Sequence, residues 1–253
     1  MIKRTILLLF VSMAMNAFAQ VTREIPMDAS YLEGVNGMPM SFEMFDGYQV
    51  LHVVPDENAP MAMALADLGL DANQTDNGPV KAMPSNKPPQ FVKVKDVDFH
   101  NGTIELKVWS HIVDGAPELA RGFMGVMFRI NADYSRNEYM YIRPLNAMVD
   151  DQVRRNHTLQ YASNPGLNFV LSRQKFPEKY ESYAEMALDC WILLRIVVKD
   201  SIAKLYINNH EQPSLVVTDL WQGPDLRGSV GISVGTELGT EGYFRDLKIT
   251  TED

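Results

Sequence analysis

Apolar and polar side chains alternate along much of the chain, which is the pattern of β-strands with one buried face. The clearest alternation lies in residues 102–113, GTIELKVWSHIV. One side of this predicted strand is apolar as far as Val108. The other side carries polar and aromatic groups: Glu105, Lys107, Trp109 and His111. One face is therefore expected to be buried, and the other to meet solvent or a ligand.

Residues 121–146, RGFMGVMFRINADYSRNEYMYIRPLN, predict two strands joined by a polar turn. Alternation places apolar side chains on one face of this hairpin: Met124, Val126, Phe128, Ile130, Met140 and Ile142. The other face mixes apolar side chains and aromatic rings with guanidinium groups: Phe123, Met127, Arg129, Tyr139, Tyr141 and Arg143. We expect the first face to cover a core and the second to face a ligand.

Shorter stretches predict further strands: 48–54, 91–99, 157–162, 169–173, 179–183, 191–198, 201–207, 215–220, 228–235 and 243–250. The pair Asn101-Gly102 suits the positive φ angles of a tight turn, and it predicts a hairpin between the strands on either side. Lys199-Asp200 predicts a second hairpin. About ten to twelve strands with almost no helix predict an all-β fold, a two-sheet antiparallel β-sandwich or jelly roll.

The first 19 residues have the features of a secretory signal. Lys3 and Arg4 precede an apolar run that ends near Ala14, and Ala17-Phe18-Ala19 forms a cleavage site. The apolar run is too short to cross a bilayer as a helix, which needs about 20 residues. We therefore predict no membrane span, and secretion or release into a periplasm after cleavage near Ala19.

Residues 20–253 fall within the size of one β-sandwich domain. Residues 55–90 interrupt this domain with six prolines and many Asn and Asp residues, and we interpret them as a long surface excursion. Insertions of this kind are either functional loops or disordered, and the sequence leaves both open. Cys190 is the only cysteine, so the chain forms no internal disulfide.

The chain is acidic, with a formal charge of −9. Loss of Lys3 and Arg4 with the leader leaves 21 basic against 32 acidic residues, a charge of −11. Nucleic acid is therefore not expected as a partner, because phosphate binding depends on concentrated Lys and Arg. Neutral or cationic ligands fit this charge, and a few local arginines could still hold an anionic sugar.

A series of short motifs follows the predicted strands of residues 91–250: FHNGTIE at 99–105, GVMFR at 125–129, YIRPLN at 141–146, Trp191 with AKLYIN at 203–208, GSVG at 228–231 and FRDLKI at 244–249. In this succession they resemble the concanavalin A-like (laminin G-like jelly-roll) domains of the bacterial 3-keto-disaccharide hydrolase-like group of glycoside hydrolases. The resemblance implies two curved sheets about 10 Å apart, with a glycan lying across the concave sheet and glycoside hydrolysis as the family's activity.

If the strands are neighbours in that sheet, the resemblance places a ligand-binding set in one groove: Trp109, His111, Arg129, Tyr139, Tyr141 and Arg143. The aromatic rings are suited to stack on sugar rings, and the arginines are suited to donate forked hydrogen bonds to hydroxyls or a uronate. The alternative for the rings is packing beneath the long excursion. The alternative for the arginines is an ion pair with a neighbouring carboxylate.

Glycoside hydrolysis generally requires two carboxylates about 5 to 9 Å apart. Glu105 and Glu138 are the candidate catalytic pair, and spacing does not separate them from other acids: Glu118, Asp133, Glu181 and Glu185. Glycoside hydrolase family 16, which has the implied fold, takes its nucleophile and acid from one strand motif. That motif is absent at Glu105, because no second carboxylate follows two positions later.

No group of His and Cys residues has the spacing of a transition-metal site, and we predict no metal and no cofactor. Calcium near Asp150 and Asp151, or near Asp133, is the alternative. The sequence thus predicts a secreted protein that binds or cleaves an oligosaccharide or polysaccharide through its concave sheet. The rival interpretation is a non-catalytic module that docks a protein or a component of the cell envelope. The oligomeric state is left open.

Overall fold

A computed structural model describes residues 20–55 and 89–252 of the chain. The predicted leader and nearly all of the predicted excursion lie outside these residues. The described strands are β1 (Gln20–Ile25), β2 (Leu32–Val35), β3 (Met40–Phe45), β4 (Tyr48–Val53), β5 (Phe91–Val94), β6 (Asn101–Ile112), β7 (Met124–Ile130), β8 (Asn137–Ile142), β9 (Leu159–Asn164), β10 (Glu181–Ser182), β11 (Trp191–Lys199), β12 (Ile202–Ile207), β13 (Leu215–Val217), β14 (Ser229–Val234) and β15 (Thr240–Glu252). Two short α-helices are α1 (Gln152–Asn156) and α2 (Phe169–Lys175).

The strands form two antiparallel sheets. The first sheet has the order β13-β12-β11-β6-β15-β4-β3, and β1 also pairs with β15, beyond the residues that pair with β4. The second sheet has the order β10-β9-β8-β7-β14-β5-β2. The predicted fold class, an all-β sandwich of two antiparallel sheets, is therefore confirmed.

The core lies between the two sheets and is built from the inward side of each strand. The first sheet supplies Ile104, Leu106, Val108, Ile192, Leu194, Ile196 and Phe244. The second sheet supplies Met124, Val126, Phe128, Met140, Ile142, Val230 and Ile232. Each of these side chains is at most 1% exposed. Because side chains alternate along a strand, the positions between them lie on the outer faces of the sandwich, where a ligand could be bound.

The predicted hairpin of residues 121–146 is present as β7 and β8. Its alternation is broken near the end of β7, where Ile130 pairs with Ser229 and Met127 pairs with Gly231. Two residues of β7, Phe128 and Arg129, thus oppose one of β14, Val230, which is a β-bulge, and Arg129 has a positive φ of 53°. As a result Ile130 joins Met127 in an outer apolar cluster, and Arg129 is fully buried. The predicted directions of these two side chains were therefore wrong.

The predicted hairpin around Asn101-Gly102 is also wrong. The strand before it, β5, belongs to the second sheet, whereas β6 belongs to the first, so the chain crosses between sheets here. Gly102 lies inside β6 with a φ of 136°, and a Cβ atom at this position would lie 1.9 Å from the carbonyl oxygen of Thr250. A glycine is needed for close approach of two strands and not for a turn.

Residues 169–173 form the start of α2 instead of the predicted strand. The Asn168 side chain caps this helix by accepting a hydrogen bond of 2.9 Å from the backbone N–H of Leu171. The second predicted hairpin, β11 with β12, is confirmed, and Asp200 supplies a positive φ of 51° in its turn. Within the described ranges, no helix is long and apolar enough to cross a membrane.

The crowding at Gly102 gives a stability prediction. Gly102→Ala is expected to lower the free energy of unfolding by about 2 to 4 kcal/mol, because the added methyl group overpacks the β6–β15 contact and the φ angle strains any L-residue. Gly37→Ala is the matched control, since Gly37 has a φ of 78° but no atom within 4 Å of an added Cβ. It is expected to cost about 1 to 2 kcal/mol. Urea denaturation measures both, and equal losses would contradict the close-approach explanation.

Candidate functional site

The structure does not bring the predicted site residues into one groove. Glu105, Trp109 and His111 lie on the outer face of the first sheet. Three further predicted residues, Tyr139, Tyr141 and Arg143, lie at the opposite outer face, that of the second sheet. The prediction of a shared groove was wrong because β6 and the β7–β8 hairpin belong to different sheets.

Arg129 and Glu138 lie inside the sandwich, and neither side chain is exposed. Arg129 donates to the backbone oxygens of His100 (2.8 Å), Asp200 (2.8 Å) and Gly223 (3.2 Å), and to Oδ1 of Asn101 (3.2 Å). It therefore ties together three chain segments and is not placed to contact a ligand.

The side chain of Glu138 connects the loop before β14 to the second sheet through hydrogen bonds. It accepts a hydrogen bond of 2.6 Å from the Tyr161 hydroxyl and one of 2.9 Å from the backbone N–H of Gln222. Burial raises the pKa of Glu138, and the hydrogen bonds and Arg129 oppose that rise. Glu105 makes a long ion pair of 3.7 Å with Lys248 at the other outer face. The two predicted catalytic carboxylates are thus held in different environments and do not flank one site.

The outer face of the second sheet holds a polar constellation that we name the Arg143 cluster: Tyr139, Tyr141, Arg143, His157, Gln160, Arg173 and Glu181. Its centre is the guanidinium of Arg143, which donates to the backbone oxygen of His157 (2.7 Å), the Tyr141 hydroxyl (3.0 Å) and Oε1 of Gln160 (3.1 Å). Arg143 also pairs with Glu181 at 3.4 Å. The guanidinium is therefore held in one orientation.

Glu181 is shared between two arginines. Arg173 forms a forked contact with it, with Nη2 donating to Oε1 at 2.7 Å and Nε donating to Oε2 at 2.9 Å. Nε2 of His157 lies 3.5 Å from Oε2 of the same carboxylate. Buried charges of this kind are stable only when they are paired and hydrogen-bonded. Each of four segments contributes one group to the network: Gln160 from β9, Glu181 from β10, Arg173 from α2 and His157 from the segment before β9. The network therefore fixes the relative positions of these segments.

The Tyr141 ring lies against the Arg143 guanidinium, and the Tyr139 ring stacks on Tyr141. The rings of Tyr139 and Tyr141 are stacked, with centroids 4.7 Å apart, and the Arg143 guanidinium lies 4.9 Å from the Tyr141 ring. Burial raises the pKa of both tyrosines further above neutral pH. The Tyr139 hydroxyl is hydrogen-bonded to Ser233, and the Tyr141 hydroxyl accepts from Arg143.

The Arg143 cluster has a buried base and a more accessible mouth. The side chains of Arg143 and Glu181 are 5% and 3% exposed, whereas those of Arg173 and His157 are 23% and 16% exposed. Tyr139 is also half-buried. A ligand would therefore meet Tyr139, Arg173 and His157, and the buried members would act by positioning them.

Sequence reasoning found only part of this cluster. Tyr139, Tyr141 and Arg143 were predicted from alternation, and Glu181 was one of several candidate acids. Gln160 and Arg173 were not predicted, because they lie on β9 and α2 and meet Arg143 only through tertiary packing. The alternation of residues 159–164 could have placed Gln160 on the outer face, but α2 gave no such signal.

Two of the three predicted calcium ligands, Asp151 and Asp133, have other partners. Asp151 caps α1 by accepting hydrogen bonds from the backbone N–H groups of Val153 (2.9 Å) and Arg154 (3.1 Å). Asp133 accepts hydrogen bonds from Ser135 in the β7–β8 turn, which lower its pKa. In the part of the chain that the structure describes, no group of three or more His, Cys, Asp or Glu side chains could hold a metal ion.

The sequence matches no protein-family model and no curated protein. Solved structures with a similar fold include a carbohydrate-binding module from Bacillus subtilis, which is 11% identical with a TM-score of 0.49 over 88% of this chain and 99% of that one. A lichenase from a mouse hindgut metagenome is 12% identical, with a TM-score of 0.48 over 93% of this chain and 100% of that one. Domain 4 of an extracellular arabinanase from Geobacillus stearothermophilus, in complex with arabinotriose, is 10% identical, with a TM-score of 0.42 over 94% of this chain and 84% of that one.

These identities are so low that the similarities concern the fold and not the site. The described sheets define the class, a two-sheet β-sandwich. The narrower resemblance to the 3-keto-disaccharide hydrolase-like group stays a prediction.

The buried carboxyl of Glu138 gives a prediction on pH dependence. Because its pKa is raised in the folded state, the folded protein binds this proton more tightly than the unfolded chain does. The stability of the wild type relative to Glu138→Gln is therefore expected to be highest below about pH 4, the ordinary range of a glutamate, and to fall as the pH rises through the raised pKa. Urea denaturation from pH 4 to 8 measures the difference. The exposed Glu211→Gln is the control, and a difference that stays constant or grows with pH would contradict the assignment.

Proposed function

We propose that the protein is a secreted carbohydrate-binding module that holds its ligand at the Arg143 cluster. The observation that carries the proposal is the stacked pair Tyr139 and Tyr141, placed beside planar polar groups that buried hydrogen bonds already hold in position. Ligand sites combine apolar and aromatic surface with a few convergent polar groups in this way.

A sugar fits this arrangement because it presents both kinds of surface. The C–H face of a pyranose ring can pack against the half-buried ring of Tyr139. Its hydroxyls can accept hydrogen bonds from the guanidinium of Arg173 at the mouth of the cluster, next to His157. Arg143 has partners on both terminal nitrogens, so its role is to position Tyr141, Gln160 and Glu181. Positioning before binding reduces the entropy lost when the ligand binds.

We propose binding without hydrolysis. The predicted pair Glu105 and Glu138 is divided between an outer face and the interior. The cluster as defined has a single carboxylate, Glu181, which two arginines already hold. Neither arrangement gives the two carboxylates on either side of one bond that most glycoside hydrolases use.

Secretion is supported by the leader, residues 1–19, whose basic start, apolar run and Ala17-Phe18-Ala19 site have the composition of a signal peptide. The proposal therefore places the module where it meets polysaccharide outside the cytoplasm.

Tyr139 provides the test. A glycan array first identifies ligands of the wild type, and titration calorimetry then compares variants. Tyr139→Ala is expected to weaken binding about tenfold, or about 1.4 kcal/mol, because the stacking surface is lost. Tyr139→Phe is the matched control, since it keeps the ring, and it is expected to retain most of the affinity. Release of reducing ends is expected to be undetectable.

Two outcomes would contradict the proposal. Equal affinities of the wild type and Tyr139→Ala would place the bound glycan elsewhere. An array without any ligand would favour the rival interpretation, a module that docks a protein or envelope component.

A further inference from the structure

The outer face of the first sheet carries a second group of aromatic rings. We name it the aromatic face: Phe45, Tyr48, Trp109, Trp191 and Tyr243. The ring centroids of Trp109 and Trp191 are 5.7 Å apart, and the Phe45 ring lies 5.3 Å from Trp109. Tyr243 stacks on Phe45 at 3.9 Å. The rings thus form one continuous surface. They come from five strands: β3, β4, β6, β11 and β15.

This surface is only partly covered. Tyr48 is 45% exposed, and the other four rings are half-buried. Single exposed apolar residues are common, but a contiguous group of rings on the outside of a sandwich indicates an interaction site. The rings were not recognised as a group from the sequence, because only Trp109 lies on a strand with clear alternation.

Arg245 lies within the aromatic face and is incompletely paired. Its guanidinium is 3.7 Å from the centre of the Tyr48 ring and 4.5 Å from that of Trp191. Nη1 donates to Oδ2 of Asp246, whereas Nε is buried and has no hydrogen-bond partner within the described residues. The residue as a whole is 8% exposed. A buried donor without a partner is costly, and a bound hydroxyl or an ordered water that settles against this guanidinium would reduce the cost.

Hydrogen-bonding groups surround the rings. Asp46 accepts a hydrogen bond of 2.8 Å from Nε1 of Trp191. His111, which the sequence had suggested as a ligand contact, pairs with the exposed Asp189 at 2.7 Å. His52 lies between Glu43 (3.2 Å) and Glu241 (2.6 Å) and stacks on Tyr243. These groups present donors and acceptors at the ring edges, where the hydroxyls of a stacked sugar would lie.

We propose that the aromatic face is a second saccharide-binding site, independent of the Arg143 cluster and selective for uncharged glycans. Four carboxylates at the rim, Glu43, Asp46, Asp189 and Glu241, disfavour an anionic glycan, and the Arg245 guanidinium among the rings disfavours a cationic one. Trp109, Trp191 and Tyr243 lie on β6, β11 and β15, which each have a neighbouring strand on both sides, whereas β3 with Phe45 is an edge of the sheet. A peptide that added a strand, a common mode of peptide recognition by sheets, would pair with β3 and would not cover these three rings.

The inference goes beyond the proposed function. The two sites lie on the outer faces of opposite sheets, so one molecule can hold two glycan chains and link them. Binding to a polymer would then show avidity that neither site has alone.

Tryptophan fluorescence isolates this site. The chain has three tryptophans, and Trp221, which is 41% exposed, packs against Phe176 and Gly166 on another surface. In Trp221→Phe, all tryptophan emission comes from the aromatic face. We expect soluble xylan, β-glucan or arabinan to change this emission. We expect the change to persist when Tyr139→Ala is added, which distinguishes this site from the Arg143 cluster.

Affinity electrophoresis in gels that contain the same polymers measures the loss of binding when a ring is removed. Trp109→Ala is expected to reduce retention about tenfold, while Trp221→Phe is unchanged. Polygalacturonate, which is anionic, is expected to leave the emission of Trp221→Phe unaltered. The inference is overturned if no neutral polymer changes this emission, if Tyr139→Ala abolishes the change, or if polygalacturonate changes it equally. The emission readout uses folded protein with both Trp109 and Trp191 present, so it does not depend on the stability of the Trp109 variant.

Discussion

The buried guanidinium of Arg129 holds the two sheets together at one end of the sandwich. It extends from β7 in the second sheet to His100 and Asn101 at the start of β6 and to Asp200 in the β11–β12 turn. Burial lowers the pKa of Arg129, and the nearby carboxylate of Glu138 acts in the opposite direction. The β-bulge opposite Ser229 and Gly231 makes this possible, because it turns Arg129 inwards and Ile130 outwards.

The positions of both proposed sites follow from the packing of the two sheets. The sandwich buries the inner side of each sheet, so side chains that contact a ligand must lie on the two opposite outer faces. At one face, charged groups are buried around Glu181, and aromatic contact is provided by Tyr139 and Tyr141. At the other face, rings dominate and the Arg245 guanidinium is stacked on two of them, Tyr48 and Trp191. The two surfaces therefore suit different contacts with a sugar: a recessed polar site and an open stacking platform.

Local pattern predicted much of the fold. The alternation in residues 102–113 correctly identified β6, and the pattern of residues 121–146 correctly identified the β7–β8 hairpin. Both predictions use only residues that are close together in the sequence. The assignment of strands to sheets depends on pairing between distant residues, which alternation does not encode. For that reason the sequence did not show that β6 and β8 belong to different sheets, and Trp109 was expected to share a groove with Tyr141 if their strands were neighbours.

The remaining errors have local physical causes. Asn101-Gly102 indicates a positive φ angle. Such an angle occurs in a tight turn, but here it occurs inside β6, where the strand closely approaches β15. Residues 169–173 have the apolar content of a strand, but Asn168 caps a helix there. The bulge at Arg129 has no glycine to mark it, so the change of direction after Phe128 could not be predicted.

Sugar binding at the outer face of the second sheet is the central proposal. Hydroxyl-radical footprinting of the wild type, with and without an oligosaccharide from the array, tests this directly because it reports the accessibility of individual side chains. Protection of Tyr139 and His157 by the oligosaccharide is the predicted result. Unchanged labelling of both residues at a saturating concentration would contradict the assignment.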